Sequence, residues 1–260
     1  QIAIGFDNKI VFSKNFGDTK PDSLFCIFSA TKAVTSAASW LLMQKKVISE
    51  NDLVTDYIPE FGENGKGKIT LSHLLTHTAG FPHAPFKPIE WKSKEARIRR
   101  FEQWRSFWEP GTKFEYHPSS SMYVVAEIIE RASGQHFESF VKDHILNPLQ
   151  LRNTFIGLPD EQSSRALPIR YCGVELSRQE YEEMGFPVPP ETEVTEDAVL
   201  SFNERDVQAS GIPGGGAFSN AEDMAMFYQA LLHGGTNQER LWQDDMLANA
   251  KTIRNYQPSF

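Results

Sequence analysis

The stretch Ser23-Leu24-Phe25-Cys26-Ile27-Phe28-Ser29-Ala30-Thr31-Lys32 decides the fold of this 260-residue chain. Residues 23–28 are largely apolar and bounded by polar residues, which predicts a buried strand. From Ala30 to about Lys46, apolar residues recur at three- and four-residue spacing, which predicts a helix. Ser29 therefore lies at the start of that helix, and Lys32 lies one turn later on the same face.

The spacing of Ser29 and Lys32 brings an amine next to a hydroxyl. Because the helix dipole and burial both disfavour a positive charge at this position, we expect a lowered pKa for Lys32. A neutral amine can accept the serine proton and so activate Ser29 as a nucleophile. Serine is also a favoured N-cap, so Ser29 could instead satisfy free N–H groups at the helix start. The same spacing recurs at Ser139-Phe140-Val141-Lys142, in a polar helix with no strand before it, so the spacing alone identifies nothing.

Composition and charge limit the classes of function. The apolar content of 40% and the aromatic content of 12% are typical of a globular chain, and the length suffices for one large domain. The net charge of −8 and the pI of about 5.4 argue against nucleic acid or an anionic membrane as the main partner. No apolar run approaches the ~20 residues that a spanning helix needs, so no membrane span is predicted.

The order of the predicted elements indicates a single domain, residues 1–260, with an insert. Residues 1–48 and 205–260 hold the predicted strands, whereas 49–204 form a mostly helical insert with a long excursion at 158–200. The chain begins at Gln1 with no signal segment, so we expect the native N-terminus to be absent and assign no compartment. The predicted elements are a hairpin over 1–13, helices at about 70–76, 93–107, 120–133, 137–146 and 221–232, and a strand or tight turn over 211–218.

Tyr116 is a second candidate for chemistry. It lies on a turn just before the predicted helix at 120–133, so its side chain can reach into a cleft. Beside a protonated lysine the phenolate form is favoured, and Tyr116 could then act as a general base or relay a proton. As one of seven tyrosines, it could equally be an amphipathic packing residue.

Histidines and cysteines give weaker signals. His77 or His83 could pair with a serine, but neither has an evident acidic partner in the sequence, so a Ser-His triad is not favoured. His73 and His77 are four residues apart on a short helix, yet they lack the Glu of a His-Glu-x-x-His metal motif. Cys26 and Cys172 are too few and too distant for a disulfide framework or a metal site. The sequence therefore predicts neither a metal nor an organic cofactor.

Four motifs occur in one order along the chain and carry a resemblance to a known family. They are Phe28-Ser29-Ala30-Thr31-Lys32-Ala33, Leu74-Leu75-Thr76-His77-Thr78-Ala79-Gly80, Pro110-Gly111-Thr112-Lys113-Phe114-Glu115-Tyr116, and Gly214-Gly215-Gly216-Ala217-Phe218-Ser219-Asn220-Ala221-Glu222-Asp223-Met224. From about residue 1 to 255 the chain resembles the serine β-lactamase/penicillin-binding-protein-like family, in its class C and family VIII carboxylesterase branch. The resemblance implies an α/β (α+β) fold of the β-lactamase/transpeptidase type, with an antiparallel sheet flanked by helices and a mostly helical insert.

The resemblance also implies roles for individual residues. Ser29 would be the acyl-forming nucleophile, Lys32 its proton acceptor and Tyr116 the partner base. The backbone N–H of Ser29 would supply half of an oxyanion hole. The residues expected to bind substrate are the aromatic side chains of a pocket rim, Phe81, Phe86 and Trp91, and two glycines that allow close backbone approach, Gly215 and Gly216.

The chain departs from the family pattern at two places. The usual Tyr-x-Asn is Tyr116-His117-Pro118 here, and proline cannot donate the side-chain amide that would hold a substrate amide or β-lactam. The late Lys-Thr-Gly or His-x-Gly motif is not found, so we expect the C-terminal strands to be missing from this chain.

These observations favour an esterase that forms an acyl-enzyme on carboxylic esters. A β-lactamase or D-Ala-D-Ala carboxypeptidase, an acyltransferase, and a non-catalytic homologue used as a binding module remain alternatives. The expected partner is a small ester or amide substrate, and the sequence leaves the oligomeric state open.

Overall fold

The computed structural model describes residues 1–173, 176–186 and 195–256. The strands are β1 Ile2–Phe6, β2 Lys9–Lys14, β3 Phe25–Cys26, β4 Phe155–Ile156 and β5 Ala217–Ser219. The helices are α1 Thr31–Gln44, α2 Val54–Tyr57, α3 Leu71–Leu75, α4 Lys94–Gln103, α5 Ser120–Ser133, α6 Phe137–Val141, α7 Arg178–Glu183, α8 Glu196–Leu200, α9 Arg205–Gln208, α10 Ala221–His233 and α11 Asp244–Ala250. Short 3₁₀ turns cover Phe28–Ala30, Pro59–Gly62, Pro88–Lys92, Asp160–Arg165 and Ser201–Asn203, and a π turn covers Lys142–Leu146.

The predicted N-terminal hairpin is confirmed. β1 and β2 pair antiparallel, and the turn residues Asp7 and Asn8 both have positive φ angles, 49° and 57°. Paired positive φ angles match the twist of a two-residue hairpin turn. One face packs on α10, where a Cβ at Gly5 would lie 2.8 Å from Gln229 Cγ. The other face presents exposed apolar side chains, among them Ile4 and Phe6.

A second, three-stranded sheet joins distant parts of the chain. Its strand order is β3-β5-β4, and both pairings are antiparallel, with Cys26 opposite Phe218. The predicted strand over 23–28 is shorter than expected, since only Phe25–Cys26 form a strand. The Ile27 N–H still donates to Ala217 O at 3.0 Å, but Phe28 then adopts a φ of 42° and turns the chain away from the sheet.

The helix predicted from Ala30 is α1, which starts one residue later because the 3₁₀ turn Phe28–Ala30 precedes it. Thr31 Oγ1 accepts a hydrogen bond from the Ala217 N–H at 3.1 Å, which ties the helix start to β5. α1 packs mainly against α5, and both helices contribute many of the buried apolar side chains of the core. The start of α1 is therefore held between the small sheet and the helical core.

The longer predicted helices are confirmed with local differences at their ends. α5 ends at Gly134 with a φ of 72°, and α10 begins after Asn220, whose side chain accepts from the Asp223 N–H at 2.9 Å. The helix predicted over 93–107 is α4 and ends at Gln103, because Trp104 has extended backbone angles and is buried. The one predicted over 137–146 changes from α to π geometry after Val141.

The excursion predicted over 158–200 contains the 3₁₀ turn Asp160–Arg165 and the helices α7 and α8. Part of it, residues 174–175 and 187–194, lies outside the described residues, as do 257–260. None of the helices in the described ranges is long and apolar enough to cross a bilayer.

Buried charges connect α4 and α5. Arg97 Nε lies 2.8 Å from Glu127 Oε2, and Arg131 Nε donates to Glu127 Oε1 at 2.8 Å. Arg131 also reaches Glu60 at 3.2 Å, and Arg97 pairs with Glu130. Because the side chains of Arg97 and Glu127 are almost fully buried, this network fixes the two helices relative to each other.

Candidate active site

Ser29, Lys32 and Tyr116 meet at the start of α1. Tyr116 Oη donates to Ser29 Oγ at 2.7 Å, and Lys32 Nζ donates to the same oxygen at 3.2 Å. Lys32 Nζ also lies 5.0 Å from the centroid of the Tyr116 ring. Ser29 is exposed, Tyr116 is 41% exposed and Lys32 only 8%. The hydroxyl is therefore open to an incoming molecule, whereas the amine beside it is shielded from solvent.

Two backbone carbonyls hold the amine of Lys32. Its Nζ donates to Pro118 O at 2.6 Å and to Gly214 O at 2.8 Å. A neutral lysine amine has two N–H donors and one lone pair. When both donors engage these carbonyls, the lone pair is left for Ser29 Oγ. The arrangement therefore suits proton transfer from the serine to the amine.

Burial lowers the pKa of Lys32, and the hydrogen bond and charge of Tyr116 partly oppose that shift. The expected lowering is thus found, with burial as its main cause. Among the described residues, Lys32 forms no ion pair with a carboxylate. Its positive charge is stabilised by the carbonyl groups of Pro118 and Gly214 and by Tyr116. The neutral form of the amine is correspondingly easier to reach.

The glycine-rich segment passes close to the residues that follow Tyr116. A Cβ on Gly214 would lie 3.1 Å from Ser119 Cα and 3.4 Å from Pro118 O. Glycine at this position lets both carbonyls converge on one amine. A Cβ on Gly215 would meet only Phe28 and Phe202, at 3.9 Å each, so Gly215 lies beside the residue that precedes Ser29.

Gly216, also expected to bind substrate, is buried and faces inward. A Cβ there would lie 2.7 Å from Ile212 N. Its lack of a side chain is explained by this tight turn and not by an approaching ligand.

The two aromatic residues Phe81 and Trp91 do not form a pocket rim, contrary to expectation. Phe81 is 0% exposed and Trp91 1% exposed, and both belong to the core. Phe86 is half-buried and stacks on Tyr123, with ring centroids 4.0 Å apart. Rings with so little exposed surface belong to the core, and closely spaced aromatic residues fit a core as well as a rim.

Sequence analysis gave no role to His117, which is fully buried behind Tyr116. Its Nε2 accepts from the Phe81 N–H at 3.2 Å, and its Nδ1 lies 2.7 Å from Glu115 O. These partners require the neutral ring with the proton on Nδ1. Burial lowers the pKa of His117 to about 4, so the ring is uncharged at neutral pH. No pattern in the sequence distinguishes this histidine, because its partners are fixed only by the tertiary fold.

The other histidines have local partners. His77 Nδ1 accepts from the His117 N–H at 3.1 Å, and its ring centroid lies 4.8 Å from that of Tyr116. His83 Nε2 contacts Glu115 Oε1 at 2.8 Å, an acidic partner that the sequence did not reveal. His73 Nδ1 accepts from the Thr70 N–H at 3.1 Å and so caps its own helix. Within the described ranges, no group of three or more His, Cys, Asp or Glu side chains could hold a metal ion.

Phe202 is a further neighbour of the site. Its ring meets that of Phe28 edge-on, with centroids 5.3 Å apart. The adjacent Asn203 accepts from the Ile169 N–H at 2.8 Å and donates to Ile169 O at 3.0 Å, which fixes this turn. Phe28 itself has a φ of 42°, a conformation uncommon for a bulky residue. The strained residue before Ser29 is therefore supported by an aromatic contact from the end of the excursion.

Solved structures with similar folds define the class of this protein. EstA from Arthrobacter nitroguajacolicus Rue61a superposes with a TM-score of 0.78 at 25% identity, covering 94% of this chain and 67% of that one. A family VIII carboxylesterase gives a TM-score of 0.71 at 27% identity, covering 88% of this chain and 61% of its own. A penicillin-binding protein homologue from Caulobacter crescentus gives 0.72 at 25% identity, covering 91% of this chain and 63% of that one. The fold is thus of the β-lactamase/transpeptidase type.

The beta-lactamase family model matches residues 1–259, and the chain belongs to that family. A beta-lactamase of Yersinia enterocolitica is 29% identical over 172 residues, 63% of this chain and 43% of the relative. A putative D-alanyl-D-alanine carboxypeptidase of Escherichia coli K12 is 25% identical and covers 97% of this chain and 63% of the relative. The chain thus spans less than two thirds of the length of these curated relatives.

Proposed function

We propose that this protein is a serine hydrolase that acts on carboxylic esters through an acyl-enzyme on Ser29. The observation that carries the proposal is the convergence of Lys32 Nζ and Tyr116 Oη on one exposed hydroxyl oxygen. Family membership supports the coarser part, since related proteins include named beta-lactamases, carboxypeptidases and an esterase.

In the proposed acylation step, Ser29 Oγ attacks the ester carbonyl carbon while its proton passes to Lys32 Nζ. The Ser29 N–H lies in the turn that begins at Phe28, where it can donate to the carbonyl oxygen as negative charge develops there. Tyr116 then gives its proton to the leaving alkoxide, and the acyl group remains on Ser29. In deacylation, the Tyr116 phenolate takes a proton from a water molecule whose oxygen attacks the acyl carbonyl carbon. The bond from that carbon to Ser29 Oγ then breaks, Lys32 returns its proton to Ser29, and the acid is released.

Two features favour esters over β-lactams. Pro118 replaces an amide side chain, so this position offers no donor to a substrate amide. Its carbonyl oxygen is also engaged by Lys32 at 2.6 Å, which gives residue 118 a role that needs no side chain. Because named beta-lactamases and carboxypeptidases are also related, hydrolysis of β-lactams or D-Ala-D-Ala peptides is the second candidate.

The test is the pre-steady-state burst with a p-nitrophenyl short-chain ester, measured for the wild type and for Ser29→Ala. We expect one equivalent of p-nitrophenolate per wild-type chain, none for the variant, and an added acyl mass on the peptide that contains Ser29. A chromogenic cephalosporin and an added alcohol acceptor, tested in parallel, distinguish β-lactam hydrolysis and acyl transfer. Absence of both a burst and steady-state turnover with every substrate supports the non-catalytic alternative.

A further inference from the structure

We propose that His77 is a positioning residue that holds Tyr116 against Ser29 through the backbone on both sides of the tyrosine. The proposal rests on the proposed function in one respect, namely that Tyr116 serves as the proton donor and base of that reaction.

Two hydrogen bonds to His77 bracket Tyr116. The Glu115 N–H donates to the backbone oxygen of His77 at 3.2 Å, and the His117 N–H donates to its ring Nδ1 at 3.1 Å. One bond thus precedes Tyr116 and the other follows it. Fixing the peptide groups before and after a residue restricts the direction in which its side chain leaves the backbone.

The ring of His77 also touches the side chain that it positions. Its centroid lies 4.8 Å from that of Tyr116, with the planes tilted by 46°. Lys32 Nζ, which also donates to Pro118 O, lies 5.0 Å from the Tyr116 ring. The tyrosine is therefore in contact with both His77 and Lys32, and its hydroxyl donates to Ser29 Oγ.

The conformation and charge of His77 suit this role. Its φ is 58°, in the left-handed region that histidine and asparagine tolerate better than most residues. Because Nδ1 accepts a hydrogen bond, the neutral ring carries its proton on Nε2. Burial, with His117 and Lys32 nearby, lowers the pKa of His77 to about 3, so the acceptor is available throughout the neutral range.

Two substitutions separate the hydrogen bond from the backbone conformation. His77→Gly tolerates the left-handed φ but has neither ring nor acceptor. His77→Asn tolerates the same φ and places its carboxamide oxygen where Nδ1 lies in histidine. We expect His77→Gly to slow the acylation burst about 10- to 100-fold, as displacement of a reacting group does, with KM changed less than about threefold. His77→Asn should recover most of that loss.

A second measurement does not depend on activity. Nuclear magnetic resonance of ¹⁵N-labelled histidine distinguishes a bare ring nitrogen from a protonated one. We expect His77 with a bare Nδ1 and His117 with a protonated Nδ1. The Tyr116 resonances should shift more in His77→Gly than in His77→Asn, because both variants lose the ring but only His77→Gly loses the acceptor.

The outcomes are distinguishable. A wild type with neither a burst nor turnover overturns the proposed function, and the tautomers and Tyr116 resonances then still decide whether His77 holds Tyr116. A normal burst in His77→Gly, a loss in His77→Asn equal to that in His77→Gly, or a proton on Nδ1 of His77 overturns the positioning role.

Discussion

At the residue scale, Lys32 is unusual because its one amine contacts both two backbone carbonyls and an exposed hydroxyl. It links the backbone at Pro118 with the backbone at Gly214 and still lies 3.2 Å from Ser29 Oγ. A residue that only held the two loops would not need to be next to an exposed hydroxyl. Removing the amine should therefore change both the acylation rate and the contact between these two backbone segments.

Replacing Lys32 with methionine keeps much of the side-chain length but removes every donor. We expect the acylation burst to slow about 10³-fold, because a positioned general base contributes about 10²- to 10⁴-fold. Stopped-flow measurement of p-nitrophenolate release checks this. Lys142→Met is the matched control, since Lys142 is the exposed lysine of the second Ser-x-x-Lys sequence and should react normally. Equal rates in both variants would contradict the role of Lys32.

The pKa of Lys32 provides a prediction with a definite sign. Burial lowers it, and Tyr116 raises it again through a hydrogen bond and its charge. Tyr116→Phe removes the raising effects, so the Lys32 pKa should fall further and the neutral amine should persist to lower pH. Titration of ¹³C-labelled lysine by nuclear magnetic resonance measures this without turnover. An upward shift in the variant would show that Tyr116 does not stabilise the lysine cation.

At the element scale, the glycine-rich segment before β5 lies close to the loop that precedes α5, and the lack of side chains in this segment sets the distance between the two. Gly214 and Gly215 are adjacent, yet only a Cβ built on Gly214 would lie closer than ordinary van der Waals contact to backbone, at 3.1 Å from Ser119 Cα. The neighbouring position has ordinary van der Waals space, at 3.9 Å. The two glycines thus form a natural pair for comparison.

Gly214→Ala should move the Gly214 carbonyl away from Lys32, because the added methyl group is too close to residues 118–119. We expect an acylation rate about 10-fold lower and a loss of stability of about 1–3 kcal/mol, as for overpacking. Gly215→Ala should retain the wild-type stability, because the added methyl group has ordinary van der Waals space. Burst kinetics and urea denaturation of both variants check the difference, which would be absent if the segment could shift freely.

Local sequence was sufficient to predict the elements that build the site. The strand-to-helix junction, the spacing of Ser29 and Lys32 and the helices predicted over 120–133 and 221–232 are all short-range features, and the structure agrees with them. The position of Tyr116 beside Ser29 was expected from the order of family motifs, and these residues are 87 apart in sequence.

The parts that could not be predicted depend on long-range packing. The burial of Phe81 and Trp91 depends on helices that pack around them, and the bond between His77 and His117 joins residues 40 apart. Phe202 reaches Phe28 only because Asn203 fixes the end of the excursion on Ile169. Residue type and spacing along the chain contain none of these contacts.

At the scale of the whole molecule, the buried charge network between α4 and α5 supports the helical part. Glu127 is 1% exposed at its side chain and serves both Arg97 and Arg131. The two guanidinium groups retain other carboxylate partners, Glu130 and Glu60. Removal of Glu127 would nevertheless take away the carboxylate that both guanidinium groups share, and leave their buried N–H groups short of an acceptor where water has little access.

Glu127→Ala should therefore lower the free energy of unfolding by about 3 kcal/mol, since breaking a buried ion-pair network leaves buried N–H donors without their acceptor. Urea denaturation followed by circular dichroism measures the loss. Glu102→Ala, at an exposed position of α4, should change stability by less than about 0.5 kcal/mol. If the two variants had similar stabilities, the contacts of Glu127 would contribute nothing to the free energy of unfolding.

The two cysteines of the chain differ in a way that has practical use. Cys26 lies in β3 with its Sγ 3.6 Å from Gly215 O, and burial raises its pKa to about 11, whereas Cys172 is exposed in the excursion. Because thiolates are the reactive form, a maleimide at neutral pH should modify one cysteine and spare the other. The unaltered protein thus provides a single attachment point for a fluorophore or spin label, from which changes in the surroundings of the excursion can be followed when a substrate is added.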